Sequence, residues 1–167
     1  ECGRGALKAH EPIVIDIFPR DDDTGYHGDL TRTIVKGQAP ESLKNVYAAV
    51  KKAKTSAIAQ AEQRIFPNQL HATAQNILND CGYFTNPSSS PPTGFIHGLG
   101  HGLGLEVHEP PAVNSRNDTP LRAGNVITIE PGLYYPAWGG VRLEDVIVVE
   151  EEGCENLTTI ETTLEIS

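Results

Sequence analysis

Four carboxylates stand where carboxylates are costly. Asp16 lies in "IVIDIF", Glu130 in "VITIEPG" and Glu144 in "VRLEDVIVV", stretches that otherwise have the β-branched, apolar composition of strands, and Asp29 opens "DLTRTIV", a fourth. A carboxylate turned inward from such a strand is expensive to bury alone, and a cation removes the expense. Facing water is a weaker explanation for Asp16, Glu130 and Glu144 than for Asp145 or for Glu150, Glu151 and Glu152, which read as solvated acids.

A second unusual run, "FIHGLGHGLGLEVHEP" (95–110), carries His97, His101 and His108 with a glycine at every second position from Gly98 to Gly104. A helix is excluded: each interior glycine costs about 1 kcal/mol relative to alanine, and the HExxH pattern of helical zinc sites is missing. On a strand, His97, Leu99, His101, Leu103 and Leu105 share one face and the glycines the other. The bare face lets another backbone, or a substrate, come close. A glycine-rich bend with histidines at strand ends explains any one imidazole by itself, so the decision rests on partners elsewhere.

Those partners have a geometry. Pairing Asp16 with Asp29 across a hairpin places the tip between residues 22 and 23, inside the turn-forming "DDDT". Like charges opposed on a sheet are destabilising unless something positive lies between them. Four carboxylates carry a charge of -4, which two divalent ions sharing a hydroxide nearly neutralise, whereas one ion leaves it strongly negative. An oxygen-rich set with one imidazole suits Mn, Co, Fe or Zn.

The elements that must hold this set alternate along the chain. Residues 12–18 and the stretch after "DDDTG" form the hairpin strands; the spacing predicts an amphipathic helix over 41–63, with lysines 44, 51, 52 and 54 on its wet side. A second helix spans 69–81 and ends at Gly82. The polar "TNPSSSPPTG" is a loop, followed by the glycine-histidine strand and by strands at 124–135, 140–153 and near 157–166. Helices grouped between antiparallel strands predict an α+β domain, with the helices on one face of a curved sheet. Tyr135 and Trp138 in "YYPAWGG" are a hairpin corner or a pocket lining, and His10, His27 and His71 have no nameable partner.

Composition bounds the function. The 167 residues, 38% of them hydrophobic, suffice for one domain with a core. A net charge of -9 opposes binding to nucleic acid or to an anionic membrane. Cys2, Cys81 and Cys154 form no CxxC, so neither a disulfide framework nor a thiolate zinc site is expected, and a reducing, cytoplasmic setting is. No long apolar stretch or signal peptide is visible, and the lack of methionine marks the chain as a segment of something longer.

Taken in order after the "IDI" strand, "DLTRT", "HGLGHGLGLEVHEPP", "TIEPGLYY" and "GGVRLED" resemble the pita-bread metallopeptidases, the family of Xaa-Pro aminopeptidase, prolidase and methionine aminopeptidase. The resemblance implies five metal ligands at Asp16, Asp29, His101, Glu130 and Glu144, holding two divalent ions, Mn or Co before Zn or Fe. It further implies that Glu130 shuttles a proton, that His97 and His108 donate to the scissile carbonyl and the oxyanion, and that Arg142 orients Glu144 or the substrate carboxyl end. An ordinary strand-end salt bridge explains Arg142 almost as well. "GGVRLED" resembles the proline-specific branch, implying peptides with proline at the second position and, for the whole protein, a homo-oligomer. The interval from Asp16 to Asp29, 13 residues, is two longer than usual in the family; an even insertion preserves strand parity. Residues 1–167 correspond to the C-terminal portion of the catalytic domain, so the segment alone is expected to associate and to be poorly active. Alternatives are a non-catalytic protein-binding module, a methionine aminopeptidase-like enzyme and a metal-free hydrolase like creatinase. The retained carboxylates oppose the first and last, and Arg142 the second.

Overall fold

The computed structural model describes residues 5–167, so Cys2 lies outside them. Strands β1 (Ile13–Ile17) and β2 (Leu30–Lys36) form the first hairpin, as their alternation requires. Its register differs from the expected one by two residues. Asp16 pairs with Thr31, and the Arg20–His27 bridge continues the same register to a tip between Asp23 and Thr24. Asp21 sets that tip, accepting from the Thr24 N–H and hydroxyl at 2.7 Å each. Because the shift is even, Asp29 still lies on the face of Asp16, diagonally rather than directly across.

Two helices follow. In α1 (Glu41–Ile58), Leu43, Val46, Tyr47, Val50, Ala53 and Ala57 fall at helical spacing and are buried. The helix is five residues shorter than its apolar periodicity predicts, because the chain beyond Ile58 turns until the Gln63 N–H reaches the Glu150 carbonyl at 2.9 Å. Lys54 is also not on the wet side; it is 4% exposed, on the buried stripe with Val50 and Ala57. In α2 (Pro67–Asp80), Pro67 occupies the first turn, where no N–H is missed, and Gly82 ends the segment at φ +87°. Leu70, Ala74 and Leu78 of α2 face α1 and the sheet.

The remaining strands are shorter and more numerous than the composition suggests: β3 (Gly100–Gly102), β4 (Glu109–Val113), β5 (Val126–Ile129), β6 (Gly132–Tyr135), β7 (Gly139–Arg142), β8 (Asp145–Val149), β9 (Cys154–Asn156) and β10 (Glu165–Ile166). Five of them make a sheet in the order β4-β3-β5-β8-β9; β10 runs parallel to β2 on the side away from β1, and β6 pairs with β7. The two long strands expected at 124–135 and 140–153 are therefore one hairpin broken in the middle. Both halves keep one register, with Ile129 opposite Asp145 on one side of the break and Gly132 opposite Arg142 on the other. At the break, Glu130 donates its N–H to the Leu99 carbonyl at 2.7 Å and Glu144 donates its own to Thr31 at 3.1 Å. Pro131 has no N–H to give. The backbone at both glutamates thus leaves its own ladder for neighbouring strands.

The glycines of the histidine run allow the close approach. A Cβ at Gly100 would stand 1.9 Å from the Thr128 carbonyl oxygen, and one at Gly102 would stand 2.4 Å from that of Pro110. The core lies between the helices and the sheet, centred on Val50, Leu70, Leu99, Ile127, Leu133 and Ile147. No helix among the described residues is long and apolar enough to cross a membrane.

Candidate metal centre

Every predicted ligand reaches one place. Asp16 from β1, Asp29 before β2, His101 from β3, and Glu130 and Glu144 from the two sides of the broken hairpin line a cavity of about 330 Å³, with Phe18, Val107 and His108 completing its wall. Asp29, His101 and Glu144 each offer a ligand atom within 4.8 Å of the others. His101 shows where a cation fits. Its Nδ1 lies 3.1 Å from the Gly102 carbonyl, which can only accept, so the proton is on Nδ1 and the Nε2 lone pair faces the carboxylates. That Nε2 is 3.6 Å from Asp29 and 3.4 Å from Glu130. An imidazole lone pair converging with two carboxylates fits a divalent ion, which would take the place of protons held there.

The electrostatics agree. Burial raises Glu130 to about 8, aided by the neighbouring Glu144 charge, and Arg142 only partly offsets this. Glu144 rises to about 7 for the same first reason, against the opposing hydrogen bond from Thr31. Asp29 rises to about 6 through burial and then the charge of Asp16. Without a cation the cluster holds protons near neutrality, the expected response of crowded acids in a poorly solvated cleft.

Arg142 joins the cluster from β7. Its Nη2 donates to Asp16 at 2.5 Å, its Nε to the Thr31 hydroxyl at 3.2 Å, and the same Nε lies 3.9 Å from Glu130. Thr31 passes the contact on, donating to Glu144 Oε2 at 2.7 Å. His108 packs edge-on against His101, with ring centroids 4.3 Å apart. His97 lies outside this cavity and lines a neighbouring one of about 440 Å³ with His71, Phe95 and Arg116. Its Nδ1 donates to the Gly98 carbonyl at 2.7 Å, so in the neutral ring Nε2 accepts from the Tyr134 hydroxyl at 3.1 Å. Burial lowers His97 to about 4, which favours that neutral form. Tyr134 in turn accepts from Arg142 at 2.9 Å. Trp138 and Tyr135 pack on each other at 5.2 Å beside α1, away from the candidate metal ligands.

Sequence reasoning passed over several residues here. Thr31 and Tyr134 were visible only as strand formers. Asp145 does not face water; it is 5% exposed and accepts from Arg32, Asn156 and Lys54. The available signal was Lys54 itself, a lysine four residues from Val50 on an apolar stripe, which needs an anion.

The sequence pattern of metallopeptidase family M24 matches residues 1–151. The chain belongs to metallopeptidase family M24. An Xaa-Pro dipeptidase of Pyrococcus horikoshii is 44% identical to this M24 chain over 136 residues, covering 81% of the chain and 36% of the relative. A solved prolidase from Pyrococcus horikoshii superposes with a TM-score of 0.86 at 40% identity, and an X-Pro aminopeptidase from Thermotoga maritima with 0.85 at 34%; each match covers 96% of the M24 chain and 43% of the other. These solved relatives are pita-bread enzymes, whose mixed α+β architecture the chain shares. The chain spans about two-fifths of the length of the relatives it matches.

Proposed function

We propose that the whole protein, with these residues as the C-terminal portion of its catalytic domain, is a dinuclear metallopeptidase that hydrolyses Xaa-Pro bonds at peptide N-termini or in dipeptides. The observation that carries the reading is the convergence of the His101 Nε2 lone pair with Asp29, Glu130 and Glu144, acids that burial and mutual repulsion hold between about 6 and 8. Asp16, Asp29, His101, Glu130 and Glu144 hold the ions, Mn or Co before Zn or Fe on the hardness of the donors. Divalent ions there supply Lewis acidity and lower the pKa of water to about 7.

The chain's own groups do the rest. Glu130, on the cavity wall, is placed to take a proton from the attacking water and pass it to the leaving nitrogen. His108, on the cavity wall, is placed to donate a hydrogen bond to the scissile carbonyl. Arg142 holds Asp16 while Thr31 holds Glu144, so two ligands are oriented before any substrate arrives. His97 is a donor to the oxyanion only if it releases Tyr134 and gains a proton on Nε2; in the geometry seen here it steadies Tyr134 and, through it, Arg142. Relatives named Xaa-Pro dipeptidase and X-Pro aminopeptidase support the proline preference.

The experiment is metal analysis of the full-length protein together with a panel of Xaa-Pro and Met-Xaa peptides. Bound divalent metal and preferential Xaa-Pro cleavage are expected. Met-Xaa cleavage at equal or greater rate moves the protein to the methionine branch, and bound metal without hydrolysis of either makes it a binding module.

A further inference from the structure

Behind Glu144, on the side away from the cavity, lies a buried charge cluster that the hydrolytic roles above do not use. Arg32, Lys54 and Asp145 are 8%, 4% and 5% exposed. Asp145 Oδ1 accepts from Arg32 Nη2 at 2.9 Å, and Oδ2 accepts from Asn156 at 3.0 Å and from Lys54. Two cations against one carboxylate leave a surplus positive charge, one peptide unit from an acidic ligand.

Arg32 is bound to more than Asp145. Its Nη1 donates to the Glu144 carbonyl at 2.5 Å and to the Thr31 carbonyl at 3.0 Å, while Nη2 also donates to the Ile160 carbonyl at 2.7 Å. Thr31 and Glu144 are the pair already joined by the Glu144 N–H to Thr31 carbonyl bond and by the Thr31 hydroxyl to Oε2. Glu144 is therefore fixed at its N–H, its carbonyl and one carboxylate oxygen, and among the described residues Oε1 alone is left without a hydrogen-bond donor. A single guanidinium closes this frame because its rigid fork reaches four acceptors on three segments, β2, the break before β8, and the chain at Ile160.

We propose that Arg32, oriented by Asp145 with Lys54 behind it, is a positioning residue that sets the metal-facing oxygen of Glu144. The inference rests on the metallopeptidase reading. Lys54 touches neither Thr31 nor Glu144 in any bond described, so its influence on the metal passes through Asp145 and Arg32.

The test uses full-length protein and Mn²⁺ titration of folded, metal-stripped samples, followed by kcat and KM on an Xaa-Pro peptide at saturating metal. Arg32→Lys keeps the charge and loses the fork; Lys54→Gln leaves Arg32 intact and weakens the hold on Asp145. Loss of an outer partner of a metal ligand costs about 10- to 100-fold in affinity or activity. We expect Mn²⁺ affinity to fall by about that factor in Arg32→Lys and by a smaller factor in Lys54→Gln, with kcat lowered and KM unchanged. A variant that loses thermal stability yet binds Mn²⁺ as tightly as wild type per folded molecule overturns the proposal, since that is the signature of packing alone. If Arg32→Lys does not fold, Lys54→Gln decides by the same criterion. Wild-type protein that binds no divalent ion overturns the metallopeptidase reading itself, and this inference with it.

Discussion

Glu130 and Glu144 stand directly opposite one another across the break in the long hairpin, in the register that pairs Ile129 with Asp145 and Gly132 with Arg142. Two carboxylates in facing positions repel. Both rise in pKa, and both backbone N–H groups turn to other strands. The ladder gives up bonds at that point, and a pair of facing carboxylates results.

Removing either side of this pair should empty the site. Glu144→Ala is expected to lower bound metal by at least one equivalent and to bring peptide hydrolysis near background, measured by metal analysis and by assay of the full-length protein. Metal content and rate equal to wild type in that variant contradict the ligand assignment.

The raised acids make stability depend on pH in a definite direction. Glu130, Glu144 and Asp29 have folded values of about 8, 7 and 6 against ordinary values near 4.5, 4.5 and 3.8. A group whose acid pKa is raised by folding binds more protons folded than unfolded, so stability falls as pH rises above about 4, with the loss complete above about 8. The urea midpoint of metal-free protein should therefore decline from pH 5 to 9. Added Mn²⁺ and Glu130→Gln should each flatten the decline; a steep profile unchanged by both argues for another source.

Gly100→Ala tests the close approach of β3 to β5. The added carbon meets a backbone oxygen 1.9 Å away, and backbone cannot swing aside as a side chain can. Overpacking of this kind costs about 1–3 kcal/mol or more. Equilibrium unfolding should show the loss, together with weaker metal binding, because His101 follows in the same strand. Wild-type stability in the variant means the strands separate more readily than their packing implies.

Tyr134→Phe removes the hydroxyl between His97 and Arg142. One acceptor and one charged donor then lose a partner, at about 1–3 kcal/mol. A drop of roughly tenfold or more in kcat is expected, with metal content preserved since Tyr134 is not a ligand. Loss of metal with the hydroxyl assigns Tyr134 to the metal frame instead.

The outer face of β1 predicts behaviour in solution. Ile15 and Ile17 are 42% and 49% exposed on an edge strand. Exposed apolar edges associate. The 167-residue segment studied alone should therefore run larger than a monomer in size-exclusion chromatography, and Ile15→Lys with Ile17→Lys should shift it toward monomer. A monomeric wild-type segment removes the expectation.

The meeting of Asp16, Asp29, His101, Glu130 and Glu144 in one cavity was legible because residue type and strand parity are local properties: an acid in an apolar strand must find a cation wherever the strand packs. The register of the first hairpin was not, because Asp21 rather than the centre of "DDDT" sets the tip, through bonds to Thr24. The broken hairpin was also hidden. Its cause is that Leu99 and Thr31, far away in sequence, supply the acceptors for Glu130 and Glu144. Asp145 and Lys54 each looked solvated when read on its own strand or helix, and only their contact shows why both are buried.

The joint between the Glu144 N–H and Thr31 spans 113 positions in the chain, and the five proposed ligands come from five separate stretches. Contacts of such long range form late, after the entropy of closing the intervening chain has been lost. Here the last closure also brings acids together. In refolding, Asp29 at the head of β2 must come to rest near Glu144, so protons or a divalent ion should lower the barrier as well as the final energy. A metal bound there would act on the order of assembly: refolding without it should be slower at pH 9 than at pH 6, and Mn²⁺ should restore the rate at pH 9.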